Sequence, residues 1–366
     1  MSNTYEIEIE AQPSIYKPQE RSIKVYFSEP QKGIDKDTGV LLLLAGYGGH
    51  ATSNVFTKMR DTFSDKYNLV VVQCEYFGYE FMQNCEPPNI SNEMLIQELS
   101  DAELELLQKD YDKYAHILQG KVFKQYVNYG EAKEYFNDMG LMQAIDNLRS
   151  VKVVLDILEN NHYLINENRI YVYGFSHGGY LAYLCNALWP ELFTGIVDNS
   201  GYIVPYYLKN ARLYDECIDG IQIRQITIYK ASEFVGDEQI LDLTYLYQKF
   251  DNNANIICFA GEDDYMTSLE EKKAFLNNVN HSRVETITKY RVDREIFRNT
   301  GHGMGADFIK LFDATYKTFI KPKEDKQKRS KSKHRVSCNN VCYETDFFRY
   351  EVRWEEGIPI LYRTEL

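Results

Sequence analysis

Residues 40–44 read VLLLL, an apolar run with no polar position in it. A strand of this kind buries both faces, as strands in a parallel sheet do. Comparable runs recur at 69–75 (LVVVQCE), 170–173 (IYVY), 194–197 (TGIV) and 255–260 (NIICFA). Between them the apolar positions take a helical spacing, from about residue 53, at 141–159, at 181–188 (LAYLCNAL) and over 306–320. The first residues behave differently. Tyr5, Ile7 and Ile9 alternate with Glu6, Glu8 and Glu10, which predicts a half-buried strand, and residues 23–27 are its expected partner. Strands and helices in alternation predict an α/β fold with a mostly parallel, doubly wound sheet.

Two stretches interrupt the rhythm. Residues 77–140 are too long for a simple connection. They carry Pro87-Pro88 and then charged helical patterns, and read as a helical insertion at the rim of the sheet. Residues 202–250 form a second insertion, with Tyr202, Tyr206, Tyr207, Tyr214, Tyr229, Tyr245 and Tyr247. The two together could form a cap over an aromatic, polar-rimmed pocket suited to sugars or acyl chains. Equally, these tyrosines could simply pack the insertion onto the sheet. The organisation expected is a body over 1–320, a basic linker over 321–336 and an extension over 337–366. In the extension, Phe348, Tyr350, Val352 and Trp354 alternate with charged residues and residues 358–362 follow a Glu-Gly turn, which predicts a β-hairpin. A lone hairpin is marginal, so it should dock on the body or on another copy of the chain.

The chemistry centres on Gly174-Phe175-Ser176-His177-Gly178-Gly179, set between the strand at 170–173 and the helix at 181–188. A strand that turns straight into a helix forces its central residue into a strained conformation. Side chains two before and two after would clash, so glycine belongs at both places. This is a G-x-S-x-G elbow, which thrusts the Ser176 oxygen out at the carboxyl end of a strand and under a helix amino terminus.

A nucleophilic serine needs a base, an acid that orients the base, and donors for the oxyanion. The chain order expected after such an elbow is acid, then histidine. His302 lies in a glycine loop, Thr300-Gly301-His302-Gly303-Met304-Gly305, before a helix, and is the candidate base. His281 sits in a turn and His334 in a basic run. The strand at 255–260 runs into Gly261-Glu262-Asp263-Asp264. Asp264, three residues past the strand-ending glycine, is the first candidate acid. Asp263 is the second, and Asp198, after the strand at 194–197, is a third. For the oxyanion, the backbone N–H of His177 is one donor. The loop Ala45-Gly46-Tyr47-Gly48-Gly49-His50 offers the other, with Tyr47 first and Gly48 next.

In the order VLLLLAGYGG, GFSHGG, CFAGEDD, NTGHGMG, the chain resembles the α/β-hydrolase superfamily over about residues 20–320. It also resembles a poorly characterised bacterial group with the pattern GFSHGGY, DNSGY, GHGMG, whose members are often found near flagellin or surface-glycan modification genes. The resemblance implies a serine hydrolase of ester or thioester bonds, acting through an acyl-enzyme without metal or organic cofactor. The same residues would serve an acyltransferase to a sugar or protein hydroxyl, or a prolyl-oligopeptidase-like peptidase. A non-catalytic binding or assembly factor is the rival of a different class. Ala45 departs from the superfamily pattern, standing where the oxyanion loop carries a histidine.

A formal charge of −13 argues against nucleic acid and anionic membrane as main partners, and leaves a small-molecule or glycan acyl ester as the expected substrate. No run of about 18 apolar residues is present, which argues against a membrane span. The 7 cysteines are scattered and odd in number, which points to reduced thiols and a cytoplasmic location. Cys338-x3-Cys342 lacks the second ligand pair of a zinc site.

Overall fold

A computed structural model describes residues 2–83, 90–317 and 338–366. Pro87-Pro88, Cys85, His334 and the basic linker at 321–336 lie outside the described residues. Strand β1 (Asn3–Ala11) pairs antiparallel with β2 (Arg21–Glu29), Ile7 opposite Val25. The chain then crosses to β3 (Gly39–Leu44), returns through the helix Asn54–Tyr67 and forms β4 (Leu69–Cys74), parallel to β3. The first insertion contributes β5 (Val122–Val127). Helix Leu141–Asn160 leads into β6 (Ile170–Phe175), and helix His177–Leu188 into β7 (Gly195–Asn199). The second insertion contributes β8 (Arg212–Ile218) and β9 (Ile221–Thr227). Next come β10 (Asn255–Gly261), helix Leu269–Leu276, β11 (Ser282–Ile287) and helix Phe308–Thr315. Last are β12 (Val341–Glu344), β13 (Phe348–Glu355) and β14 (Ile358–Glu365).

The central sheet has the order β1-β2-β4-β3-β6-β7-β10-β11, parallel from β4 onward. The unbroken run in β3 now has its reason. Val40, Leu42 and Leu44 point into the core under helices Leu141–Asn160 and His177–Leu188. Leu41 and Leu43 point the opposite way, into the core under Asn54–Tyr67 and Phe308–Thr315. At about 25 cal/mol per Å² of apolar surface, burial on both faces is what fixes the register of these strands.

The pattern of the first insertion predicts helices alone, and the fold departs from that. It holds helices Asn92–Glu98 and Asp101–Lys109, and also β5, which pairs in parallel with β9. Strands β8 and β9 form a hairpin beside it, so both insertions share one three-stranded sheet, β5-β9-β8. Its core joins Met94, Leu107 and Phe123 of the first insertion to Ile223 of the second. The strand escapes sequence reasoning because Phe123 alone is buried in VFKQYV, and because its partner lies in the other insertion.

The extension has three strands, since β12 precedes the expected hairpin. It docks on the body. Trp354 packs edge-on against Trp189 at 4.4 Å, and Tyr343 Oη donates to the Ala187 carbonyl at 2.6 Å. Gln12 bridges to Leu361 in both directions, at 2.6 and 2.7 Å. Among the described residues no helix is long and apolar enough to cross a membrane.

Candidate active site

Strand β6 ends at Phe175, and helix His177–Leu188 starts two residues later. Ser176 between them has φ 54° and ψ −119°, outside the regions that L-residues favour. Such strain persists only where its surroundings dictate it. The glycines do so by close approach: a Cβ on Gly174 would lie 2.0 Å from the Gly178 carbonyl oxygen, and one on Gly178 would lie 2.3 Å from that of Leu44. The Ser176 N–H donates to Asn199 O at 2.8 Å, tying the elbow to the end of β7.

Ser176 Oγ lies 2.8 Å from His302 Nε2. His302 Nδ1 is 3.1 Å from each oxygen of Asp264. Of the three candidate acids, only Asp264 faces this imidazole. Asp263 instead accepts the Thr300 hydroxyl at 2.6 Å. Asp198 is buried and accepts from the Gly201 N–H at 2.6 Å and the Tyr183 hydroxyl at 3.0 Å, so it shapes a turn and does not orient the base. The His302 loop is held by Gly303, whose N–H donates to Ser200 Oγ at 3.0 Å, and by the buried Met304 side chain.

Burial raises the Asp264 pKa, but the His302 hydrogen bond, the charges of Lys272 and His302 and the Met266 N–H outweigh it and hold the carboxyl below its ordinary value. An ionised Asp264 accepts only, so Nδ1 of His302 carries a proton and Nε2 accepts from Ser176. Lys272 is unexpected. It is 1% exposed, its Nζ lies 3.6 Å from Asp264 Oδ2, and among the described residues it has no hydrogen-bond partner.

Tyr47 and His177 flank the serine with their rings 5.3 Å apart, edge to face. Gly48, the second choice in that loop, is excluded as a donor because its N–H already binds Met82 O at 2.9 Å. A chain of side-chain hydrogen bonds joins the other two. The Met139 N–H donates to Asn137 Oδ1 at 3.2 Å, which fixes that amide's orientation. Asn137 Nδ2 therefore donates to Tyr47 Oη at 2.9 Å, and Gln143 Nε2 donates to Asn137 Oδ1 at 2.8 Å. Gln143 Oε1 then faces His177 Nε2 at 2.6 Å, which must be the protonated nitrogen. Burial lowers the His177 pKa to about 3, so the ring stays neutral. Replacing Gln143 by leucine breaks this chain in the middle and leaves buried polar ends unpaired. If the backbone N–H groups of Tyr47 and His177 serve as the expected oxyanion donors, turnover should fall about tenfold or more through kcat, with KM nearly unchanged, because what moves is the frame carrying them. Equal kcat in wild type and variant would show that the chain does not position them.

Tyrosines surround the serine. Tyr202 Oη lies 2.9 Å from Ser176 Oγ, and its ring stacks on His302 at 5.8 Å and 16°. Tyr207 and Tyr229 pack against Tyr47 at 4.7 and 5.7 Å, and Tyr206 and Tyr265 lie beyond. Sequence reasoning counts Tyr202 among many tyrosines; its place directly after the Asn-Ser-Gly that ends β7 is the signal that sets it apart. Asn137 and Gln143 give no such signal: Asn137 lies at the end of the first insertion and Gln143 in the first turn of helix Leu141–Asn160, and their partners Tyr47 and His177 are distant in sequence. Nor does Lys272, one charge on an amphipathic helix.

A solved structure of the Pyrococcus horikoshii acylaminoacyl peptidase is similar to this chain, with a TM-score of 0.51 at 13% identity, over 88% of this chain and 43% of that one. The fold is that of the α/β-hydrolases. Two further matches are Est1E from Butyrivibrio proteoclasticus (TM-score 0.45, 12% identity, 81% of this chain and 92% of that one) and dienelactone hydrolase from Anabaena variabilis ATCC 29413 (0.43, 12%, 86% and 94%). At 13% identity the likeness to the acylaminoacyl peptidase speaks to the fold alone. Residues 113–212 match a family described as protein of unknown function (DUF2920). That window includes Asn137, Gln143, Ser176, His177 and Tyr202. No curated protein matches the sequence.

Proposed function

We propose that the protein is a serine hydrolase of ester or thioester bonds, with a small-molecule or glycan acyl ester as substrate. The observation that carries this is the line from Ser176 Oγ through His302 to Asp264, at 2.8 and 3.1 Å, at the tip of a strained elbow. In the reaction His302 Nε2 takes the Ser176 proton as Oγ bonds to the acyl carbon. The carbonyl π electrons move onto oxygen, and the N–H groups of Tyr47 and His177 donate hydrogen bonds to that oxygen. Each such donor contributes about 3 kcal/mol to the transition state. Asp264 fixes the imidazole tautomer and balances the imidazolium. The oxyanion then re-forms the carbonyl as the bond to the alcohol or thiol breaks and His302 gives that group its proton; water, deprotonated by His302, next attacks the acyl carbon, and the Oγ–acyl bond breaks as Ser176 regains the proton. Acyl transfer to a sugar hydroxyl is the second reading, favoured by the aromatic faces of Tyr206, Tyr207 and Tyr265 near the serine, because rings stack well on sugars.

The test is turnover of p-nitrophenyl esters from acetyl to octanoyl, beside peptide p-nitroanilides, with products analysed in the presence and absence of a sugar acceptor. Ester turnover with little anilide cleavage is expected. Anilide cleavage at comparable kcat/KM would replace the esterase with a peptidase. Folded protein inert to every ester would contradict the proposal.

A further inference from the structure

Among the described residues Ser176 Oγ has two hydrogen-bonding neighbours, and the proton count between them leads further. Nε2 of His302 is an acceptor, because Nδ1 holds the ring's one proton against Asp264. The Ser176 hydroxyl therefore spends its only proton on His302 at 2.8 Å. The contact at 2.9 Å with Tyr202 then has one possible direction: the Tyr202 O–H donates to Ser176 Oγ. The other acceptor within reach of that proton is Met266 Sδ, at 4.0 Å, a long and weak contact.

Resting on the serine-hydrolase reading, we propose that Tyr202 is a fourth catalytic residue, a fixed hydrogen-bond donor to the nucleophilic oxygen. As His302 removes the Ser176 proton, negative charge gathers on Oγ, and Tyr202 is already aimed at it. In deacylation the same Oγ is the leaving atom: its bond to the acyl carbon breaks, the bonding pair returns to Oγ, and His302 restores its proton. The Tyr202 O–H stabilises that oxygen in both half-reactions and keeps its own proton throughout. A hydrogen bond strengthens when its acceptor becomes charged, so the contact favours the transition state over the ground state. Burial pushes the Tyr202 pKa far above the ordinary value, so the residue stays a donor.

The fold over-determines where this hydroxyl sits. Tyr202 follows a tight turn in which Ser200 has φ 62° and the Gly201 N–H is held on Asp198 at 2.6 Å. The Ser200 N–H binds Phe259 O at 3.0 Å, while its hydroxyl accepts the Gly303 N–H at 3.0 Å. One turn thus anchors both Tyr202 and the loop that carries His302. The strained Ser200 and the buried Asp198, which does not orient the base, have a common purpose on this view.

The experiment compares second-order rates of fluorophosphonate labelling in wild type, Tyr202→Phe and Tyr290→Phe over a range of pH, with thermal midpoints alongside. Tyr202→Phe keeps the ring and removes one oxygen. Its labelling should slow about 10- to 100-fold, the loss expected for one hydrogen bond to a charging atom, and Tyr290→Phe, at an exposed tyrosine, should match wild type. The pH midpoint of labelling should be the same in all three, because the lost contact is to Ser176 and not to His302. A merely structural role would loosen the His302–Asp264 pair and move that midpoint. Labelling of Tyr202→Phe within a factor of about two of wild type, or faster, would overturn the inference alone, since one such bond accounts for about tenfold or more. No label on wild type would overturn the serine-hydrolase reading and this inference with it.

Discussion

Ser176→Ala is expected to lower ester turnover by about 10⁴- to 10⁶-fold while leaving the fold intact. His302→Ala should cost about as much, and the double variant no more than either alone, because the two groups act in one proton transfer and cannot be lost twice. Asp264→Asn should cost about 10⁴-fold, since an amide facing Nδ1 stabilises the tautomer that cannot accept from serine. The physical reason for such non-additivity is the shared geometry: one proton sits between Ser176 Oγ and His302 Nε2 at 2.8 Å, and the other nitrogen is committed to Asp264. Additive losses in the double variant would mean that serine and histidine act in separate steps. Steady-state kinetics with the best p-nitrophenyl ester measures this directly, with an unchanged thermal midpoint of Ser176→Ala as the control for folding; Asp264→Asn is expected to melt lower, because it leaves Lys272 unpaired.

The second large effect concerns stability. Lys272 and Asp264 have side chains 1% and 0% exposed and lie 3.6 Å apart. Removing one member of a buried pair leaves the other charge without compensation, at a cost of roughly 3–5 kcal/mol. Lys272→Met should fall at the low end, about 3 kcal/mol, because Asp264 keeps His302 and two backbone N–H donors, from Met266 and Thr267. The pH dependence has a definite sign. The Asp264 carboxyl is held below its ordinary value in the folded chain, so its contribution is complete above about pH 4 and is lost as pH falls through the folded value. Without Lys272 that folded value rises. The loss then begins at higher pH, and the acid edge of turnover moves up with it, because a protonated Asp264 no longer supports the His302 imidazolium. Chemical denaturation from pH 3 to 8 shows whether this holds. A variant as stable as wild type across the range would mean that Lys272 is uncharged or unpaired in the fold.

Much of this arrangement can be read before folding, for physical reasons that differ from residue to residue. Gly174 and Gly178 announce the elbow because only backbone fits there; the space they occupy belongs to carbonyl oxygens of Gly178 and Leu44. Chain order and the glycine loop single out His302. The place three residues past a strand-ending glycine singles out Asp264, and the fold sets these two beside Ser176. Buried parallel strands announce themselves because both faces demand apolar side chains, as VLLLL does. What stays hidden depends on long-range pairing. Strand β5 finds its partner in the second insertion, across the whole of the central elbow, and no local pattern carries that. The Asn137–Gln143 chain is invisible for the same cause, since the groups at its ends, Tyr47 and His177, come from distant parts of the sequence. Gly48 shows the reverse failure: a plausible donor by spacing, it is already bound to Met82, a residue far along the chain. Lys272 is hidden because burial of a lysine is a property of the packed helix and not of its sequence.

The measurement that tests the central claim most directly is to treat the folded wild-type protein with a fluorophosphonate and map the adduct by peptide mass spectrometry, with Ser176→Ala and His302→Ala beside it. The expected result is one phosphonylated residue, Ser176, absent from Ser176→Ala and strongly reduced in His302→Ala. An unmodified wild type, or an adduct on another side chain that persists in Ser176→Ala, would contradict it.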